Sequence, residues 1–212
     1  MSAAADLLVR AARAGEHIAL SGGGTPGPAY EQAAALEPDW SPAKLWWGDE
    51  RCVPPDDERS NYLLVKRALL DRIEQQPSAV HRVRGELGGE PAAAEYDRAL
   101  EGVQLGLALQ GLGADGHTAS LFPSSPALEE QARRAIAVPR DDVERVTMTL
   151  PVLSAANRVV FLVVGADKAE AVARAFASHP DPVTPASLLR SAAGETIALL
   201  DRAAAANLDN VG

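Results

Sequence analysis

The stretch Leu105-Gly106-Leu107-Ala108-Leu109-Gln110-Gly111-Leu112-Gly113-Ala114-Asp115-Gly116-His117-Thr118-Ala119-Ser120-Leu121-Phe122-Pro123 decides the fold. Leu105 to Leu109 is a short apolar run bounded by glycines, which reads as a buried strand rather than a helix. Beyond the glycines, the segment is expected to start a helix. An α/β protein presents side chains in this way at the carboxyl end of a central strand, where ligands bind. Gly113 and Gly116 allow backbone approaches that a Cβ would forbid. Asp115 and His117 place a carboxylate and an imidazole two residues apart, so one turn aims both at one pocket. Taken alone, Asp115 is a helix cap and His117 a first-turn residue, with no chemistry attached.

Working outward, His17 to Leu20 is a short strand that runs into Ser21-Gly22-Gly23-Gly24-Thr25-Pro26, with Pro26 set to open a helix over Gly27 to Leu36. A strand, a glycine loop and a helix N-terminus together favour an anion such as phosphate. The loop lacks the Lys-Ser/Thr ending of a nucleotide-phosphate loop and the spacing of a dinucleotide fingerprint. Lys44 to Gly48 gives a second strand. It ends in Asp49-Glu50-Arg51, where Trp46 and Trp47 supply an apolar wall that partly desolvates the charges. Ser60 is the expected N-cap of a helix over Asn61 to Ile73. Val80 to Val83 reads as a short strand with His81 on the surface, and Pro91 opens a helix through Glu101.

Past the central stretch, Arg134 to Val138 and Arg145 to Leu150 read as strands, and Arg158 to Gly165 is the clearest buried strand. Ala166-Asp167-Lys168 opens a helix to Phe176, and a cation at that end of a helix calls for a compensating anion. Pro185 to Leu189, Thr196 to Leu200 and Asp201 to Asn207 are expected to close the chain as helix, strand and helix. The alternation predicts one α/β domain over residues 1–212, a doubly wound, mainly parallel sheet with helices on both faces.

The 212 residues carry a net charge of -9, which opposes nucleic acid and anionic membranes, so an anionic ligand must be held by local groups. Cys52 is the single cysteine, which excludes an internal disulfide, and no zinc-type Cys/His cluster is present; no metal and no cofactor are expected. Met1 to Arg13 reads as an amphipathic helix, too charged for a signal peptide or a membrane span. The expectation is a cytoplasmic monomer.

The segment Asp115-Gly116-His117-Thr118-Ala119-Ser120-Leu121-Phe122-Pro123 closely resembles the signature of the 6-phosphogluconolactonases. Leu20-Ser21-Gly22-Gly23-Gly24-Thr25-Pro26 resembles the sugar-phosphate loop of that family and of the glucosamine-6-phosphate deaminases. Trp47-Gly48-Asp49-Glu50-Arg51 with Ser60-Asn61-Tyr62, and Arg145-Val146-Thr147, are also similar to the lactonases. The resemblance implies a Rossmann-like, deaminase-like fold and hydrolysis of 6-phosphoglucono-δ-lactone to 6-phosphogluconate, the second step of the oxidative pentose phosphate pathway.

It further implies His117 as general base and Asp115 as orienter of His117 or of substrate hydroxyls. Asp49 and Arg51 belong to the catalytic set, with Arg51 facing an oxyanion or a sugar oxygen. Ser21, Gly22, Gly23, Gly24, Thr25, Arg145 and Lys168 grip the phosphate. Gly106, where the family often has Asp, and Gln110, where an apolar residue is common, depart from the pattern. An amino-sugar phosphate deaminase shares the glycine loop and Asp115-Gly116-His117. Its motif continues differently after His117, however, and has a tyrosine in place of Arg51. A sugar-phosphate sensor remains a third reading, against which the acidic charge and the absence of a preceding DNA-binding extension stand.

Overall fold

The computed structural model describes residues 1–208; the last four residues of the single domain expected over 1–212 lie outside the described residues. Helix α1 (Ser2–Arg13) buries Ala4, Ala5, Leu8, Val9, Ala11 and Ala12, the one-sided spacing of an amphipathic helix, and leaves Arg10 and Arg13 in its last turn. Six strands form a wholly parallel sheet: β1 (His17–Leu20), β2 (Lys44–Trp47), β4 (Ala79–His81), β5 (Leu105–Gln110), β8 (Arg158–Val163) and β9 (Glu195–Leu200). Their spatial order is β4-β2-β1-β5-β8-β9. The order runs outward from β1 in one direction and then restarts at β5 in the other, so the chain reverses between β1 and β5.

Right-handed crossovers place α2 (Gly27–Leu36), between β1 and β2, on the opposite face from α4 (Gly89–Ala99), which leads from β4 to β5. In agreement, α2 packs on α1, whereas α4 packs on a second, antiparallel sheet of order β3-β7-β6. That sheet comprises β3 (Asp49–Arg51), β6 (Ala135–Val138) and β7 (Arg145–Met148). Each fully buried large aliphatic or aromatic side chain of the central strands, such as Leu20, Leu107, Val160 and Phe161, contributes about 1.5 to 3 kcal/mol of burial free energy.

Several boundaries differ from the sequence reading. The helix expected over Asn61 to Ile73 is α3 (Asn61–Val65) followed by a π-helical turn, Lys66–Leu70. Pro26 is the cap residue of α2 rather than its first residue. No helix follows Gly116. Asp115 spends its carboxylate on His117, and Ala119 takes a left-handed φ of 48°, which breaks the helical path.

Lys168 caps α6 (Ala169–Ala175), preceded by a short 3-10 turn. Pro185–Ser187 is likewise one 3-10 turn. The helix expected over Asp201 to Asn207 is a series of turns. His81 is not a free surface residue: its ring stacks on Trp46 with centroids 3.9 Å apart. The two departures in β5 are accommodated in the packing. Glu16, paired with Arg158, fills the space beside Gly106, where a Cβ would lie 2.3 Å from its carboxylate. Gln110 is buried and accepts from the Thr118 hydroxyl at 3.2 Å.

Candidate active site

At the reversal between β1 and β5, both strands end in glycine segments facing one cleft of about 230 Å³. Ser21 to Pro26 line one side, Gly111 to Gly113 with His117 to Ala119 a second, and Asp49, Arg51, Asn61, Arg145 and Lys168 complete the wall with Leu162 to Val164. A cleft outside the carboxyl ends of the strands at such a switch point is where open α/β sheets bind ligands. Of the residues expected in the site, the structure brings all but one to the cleft surface. The exception is Asp115, which sits behind His117.

The imidazole is held by two neighbours, Asp115 and Phe122. Asp115 Oδ1 lies 2.5 Å from His117 Nδ1 and also accepts from the His117 backbone N–H at 3.1 Å. The Phe122 ring packs against it at 4.7 Å. Partial burial pushes the Asp115 carboxyl up, but its hydrogen bonds from His117 and the charge of the imidazole outweigh this and hold it below the usual carboxylate range. An ionised Asp115 keeps the proton on Nδ1, which leaves the Nε2 lone pair for the cleft. Asp115 contacts His117 and does not line the cleft.

Asp49 is buried, and Ser120 Oγ donates to its Oδ2 at 2.6 Å while Asn61 Nδ2 donates to Oδ1 at 3.2 Å. It thus braces β3 against the loop that carries His117. Arg51 donates to Asn61 Oδ1. Its neighbour Glu50 faces away and accepts from Arg51 N, Asn61 N, Tyr62 N and Ser60 Oγ at 2.7 to 3.0 Å. Burial raises the Glu50 carboxyl pKa in spite of those four hydrogen bonds. Ser60 both caps α3 and reaches Glu50.

Asn61 belongs to the Ser60-Asn61-Tyr62 motif, which by itself implies no role for its side chain. Its amide joins Asp49 to Arg51, and a side chain at Gly22 would collide with it at 1.7 Å. Gly22 is therefore required by the close approach of α3. No periodicity in the sequence signals that contact.

The glycine loop is shaped for an anion. Ser21 N–H is taken by the Tyr30 hydroxyl at 3.0 Å, but among the described residues the backbone N–H groups from Gly22 to Thr25 have no protein acceptor. Gly23 has φ +90°, and a Cβ at Gly23 or Gly24 would meet nothing within 4 Å. Two cations face this loop. Arg145, at the start of β7, binds Asp142 through Nη2, and its buried Nε has no partner among the described residues. Lys168 has only a long pairing of 3.5 Å to Asp167. Among the described residues no three His, Cys, Asp or Glu side chains cluster as a metal site, and no helix is long and apolar enough to cross a membrane.

This geometry is shared with known proteins. Residues 1–198 match the family model of glucosamine-6-phosphate isomerases/6-phosphogluconolactonase. The chain belongs to this family. It is 41% identical over 202 residues to a 6-phosphogluconolactonase of Nostoc sp., covering 90% of this chain and 84% of the relative. It is 39% identical over 201 residues to a 6-phosphogluconolactonase of Synechocystis sp., with coverages of 90% and 84%. Among solved structures, the 6-phosphogluconolactonase of Trypanosoma brucei superposes with a TM-score of 0.84 at 28% identity, over 97% of this chain and 93% of that one. In this chain the cleft that the two glycine segments build is lined by His117 and by the cations Arg51, Arg145 and Lys168.

Proposed function

We propose that the chain hydrolyses 6-phospho-D-glucono-1,5-lactone to 6-phospho-D-gluconate, a carboxylic ester hydrolysis in the pentose phosphate pathway. The observation that carries this reading is the placement of the oriented His117, across one cleft, from a loop with free N–H groups flanked by Arg145 and Lys168. The family membership and the names of the relatives support the same reaction. The motif beyond His117, Thr118-Ala119-Ser120-Leu121-Phe122-Pro123, favours the lactonase over the deaminase branch.

A lactone is an activated ester, so the chemistry needs one base that can become an acid. Water gives a proton to His117 Nε2 as its oxygen bonds to the carbonyl carbon, and the carbonyl oxygen becomes an oxyanion facing Arg51. The bond from that carbon to the ring oxygen then breaks, the imidazolium returns the proton to the ring oxygen, and the new carboxylic acid ionises. An imidazole can take up a proton and return it, so one side chain serves both directions. Asp115 keeps the tautomer, Asp49 and Asn61 hold Arg51 and the His117 loop, and the phosphate rests on Ser21, Gly22, Gly23, Gly24, Thr25, Arg145 and Lys168.

No metal is assigned a role, and we take the protein to act as a cytoplasmic monomer. The deciding experiment follows 6-phosphogluconate formed from fresh lactone with a coupled dehydrogenase, after subtraction of spontaneous opening. A rate no faster than spontaneous opening removes the assignment.

A further inference from the structure

The turn that carries Asp115 and His117 leaves the sheet with no helix behind it, so its rigidity must come from elsewhere. Internally, Gly113 N–H donates to His117 O at 2.8 Å and Gly116 N–H to Gly113 O at 2.9 Å. Its outer face is held by residues far along the chain. Ala186 N–H donates to Gly116 O at 3.0 Å. Gly116, at φ +94°, lies against Thr184 so closely that a Cβ would stand 2.9 Å from its methyl group. Arg174 on α6 joins these parts: Nη2 donates to Ala114 O at 3.2 Å and Nε to Thr184 Oγ1 at 3.3 Å, while Nη1 pairs with Glu170 at 2.9 Å. Arg174 does not line the cleft.

We propose that Arg174 is a positioning residue for the reaction: its guanidinium clamps the Ala114 carbonyl to the Thr184 buttress and thereby fixes the peptide plane that aims Asp115 at His117. The peptide held by Arg174 is the one immediately before Asp115, so its orientation sets the direction of the carboxylate. A planar fork grips two oxygens at once, which an ammonium cannot reproduce from one point. When the clamp is absent, the turn keeps its internal hydrogen bonds but samples orientations in which Asp115 leaves Nδ1 and the wrong tautomer populates. A displacement of about 1 Å at such a place costs up to about 100-fold in rate.

This inference rests on the lactonase reading, so the test includes a readout that does not use activity. Turnover and KM are measured for Arg174→Ala, Arg174→Lys, Glu170→Gln, Asp115→Asn and the double variant Arg174→Ala/Asp115→Asn, with near-ultraviolet circular dichroism as a check of folding. The ring nitrogen shifts of His117 are recorded by NMR in the same proteins. Arg174→Ala is expected to lose about 10-fold in kcat with KM within about 2-fold, and Arg174→Lys to recover part of that loss. Glu170→Gln should match wild type, which excludes the surface ion pair as the cause. In the Asp115→Asn background, Arg174→Ala should add less than about 2-fold, because both changes act on one contact. The His117 nitrogen shifts of Arg174→Ala should move toward those of Asp115→Asn. Wild-type shifts with wild-type kcat in Arg174→Ala, a loss that multiplies fully with Asp115→Asn, or a kcat loss matched by lost folded signal each overturns the proposal. If wild type does not hydrolyse the lactone, the functional reading fails and the His117 shifts alone decide the role of Arg174.

Discussion

The two glycine segments at the switch point lie on neighbouring strands and face the same cleft, yet they are built oppositely. The Ser21 to Thr25 loop is open: its N–H groups from Gly22 onward are unspent and Gly23 and Gly24 border empty space. The Gly113 to His117 turn is closed: the carbonyls of Gly113, Ala114, Gly116 and His117, the Asp115 carboxylate and the back of Gly116 have protein partners. An anion-binding site keeps its donors free until the ligand comes, since a charged ligand supplies the missing hydrogen bonds. A proton-transfer site must be aligned beforehand, because reorganisation during the reaction adds to the barrier. The same residue type serves both ends, by leaving room in one and by allowing close packing in the other.

The contrast is broken most severely at its closed end. His117→Ala should lower kcat by ~10²-fold to 10⁴-fold, the usual contribution of a positioned general base, with product affinity nearly intact. Stopped-flow turnover at saturating lactone and product titration by calorimetry check both parts. At the open end, Arg145→Ala or Lys168→Ala should cost about 10-fold to 150-fold in kcat/KM for the phosphorylated lactone, from a lost charged hydrogen bond of about 1.5 to 3 kcal/mol. Gluconolactone without phosphate should be turned over as before. Equal losses on both substrates would remove these cations from phosphate binding.

A pair of glycine variants separates the two designs inside one loop. Gly22→Ala drives a methyl group into Asn61, so it should destabilise by about 1 to 3 kcal/mol of overpacking and impair both substrates by disturbing Asp49 and Arg51. Gly24→Ala meets nothing, so stability should stay within about 0.5 kcal/mol while KM rises for the phosphorylated substrate alone. Denaturant melts and paired KM values report the difference.

A smaller effect concerns pH. The folded Asp115 pKa lies below its unfolded value of about 3.9. Its contribution to stability is therefore complete above that value and fades as pH falls through the folded one. The melting temperature of Asp115→Asn should trail wild type at neutral pH and converge with it under acid. A constant gap across the acid range would deny the linkage. Exhaustive chelation should change no rate at all, and activity lost to EDTA and restored by a divalent ion would contradict the metal-free chemistry.

Much of this contrast is legible in the sequence, for physical reasons that stop at identifiable residues. Apolar runs bounded by glycines gave away β1, β5 and β8, because a strand buried on both faces has no polar alternation to confuse the reading. The parallel order and the gathering of Ser21, Asp49, Arg51, His117, Arg145 and Lys168 at one cleft follow from that alternation and the family motif. The antiparallel pairing of β3 with β7 is not legible, since Asp49 and Thr147 meet across almost a hundred residues and local periodicity says nothing about partners. Asp115 misleads for a different reason. Its residue type favours a helix cap, but a local contact to the imidazole two residues on takes the carboxylate and no helix forms. Arg174 reads as a plain surface charge on α6, and only the fold brings the Ala114 carbonyl to it.

The switch-point arrangement also governs when catalysis can begin. The wing β4-β2-β1 is complete by residue 81 and bears the glycine loop, whereas His117, Arg145 and Lys168 all come later. Until β5 docks beside β1, joining His17 to Leu105, one edge of β1 has no partner and the cleft has only one wall. Such non-local parallel pairing is slow to form. A newly made chain therefore passes through a stage with a strand edge exposed and with neither His117 nor the two cations of the cleft in place. Phosphate binding and activity should return together on refolding.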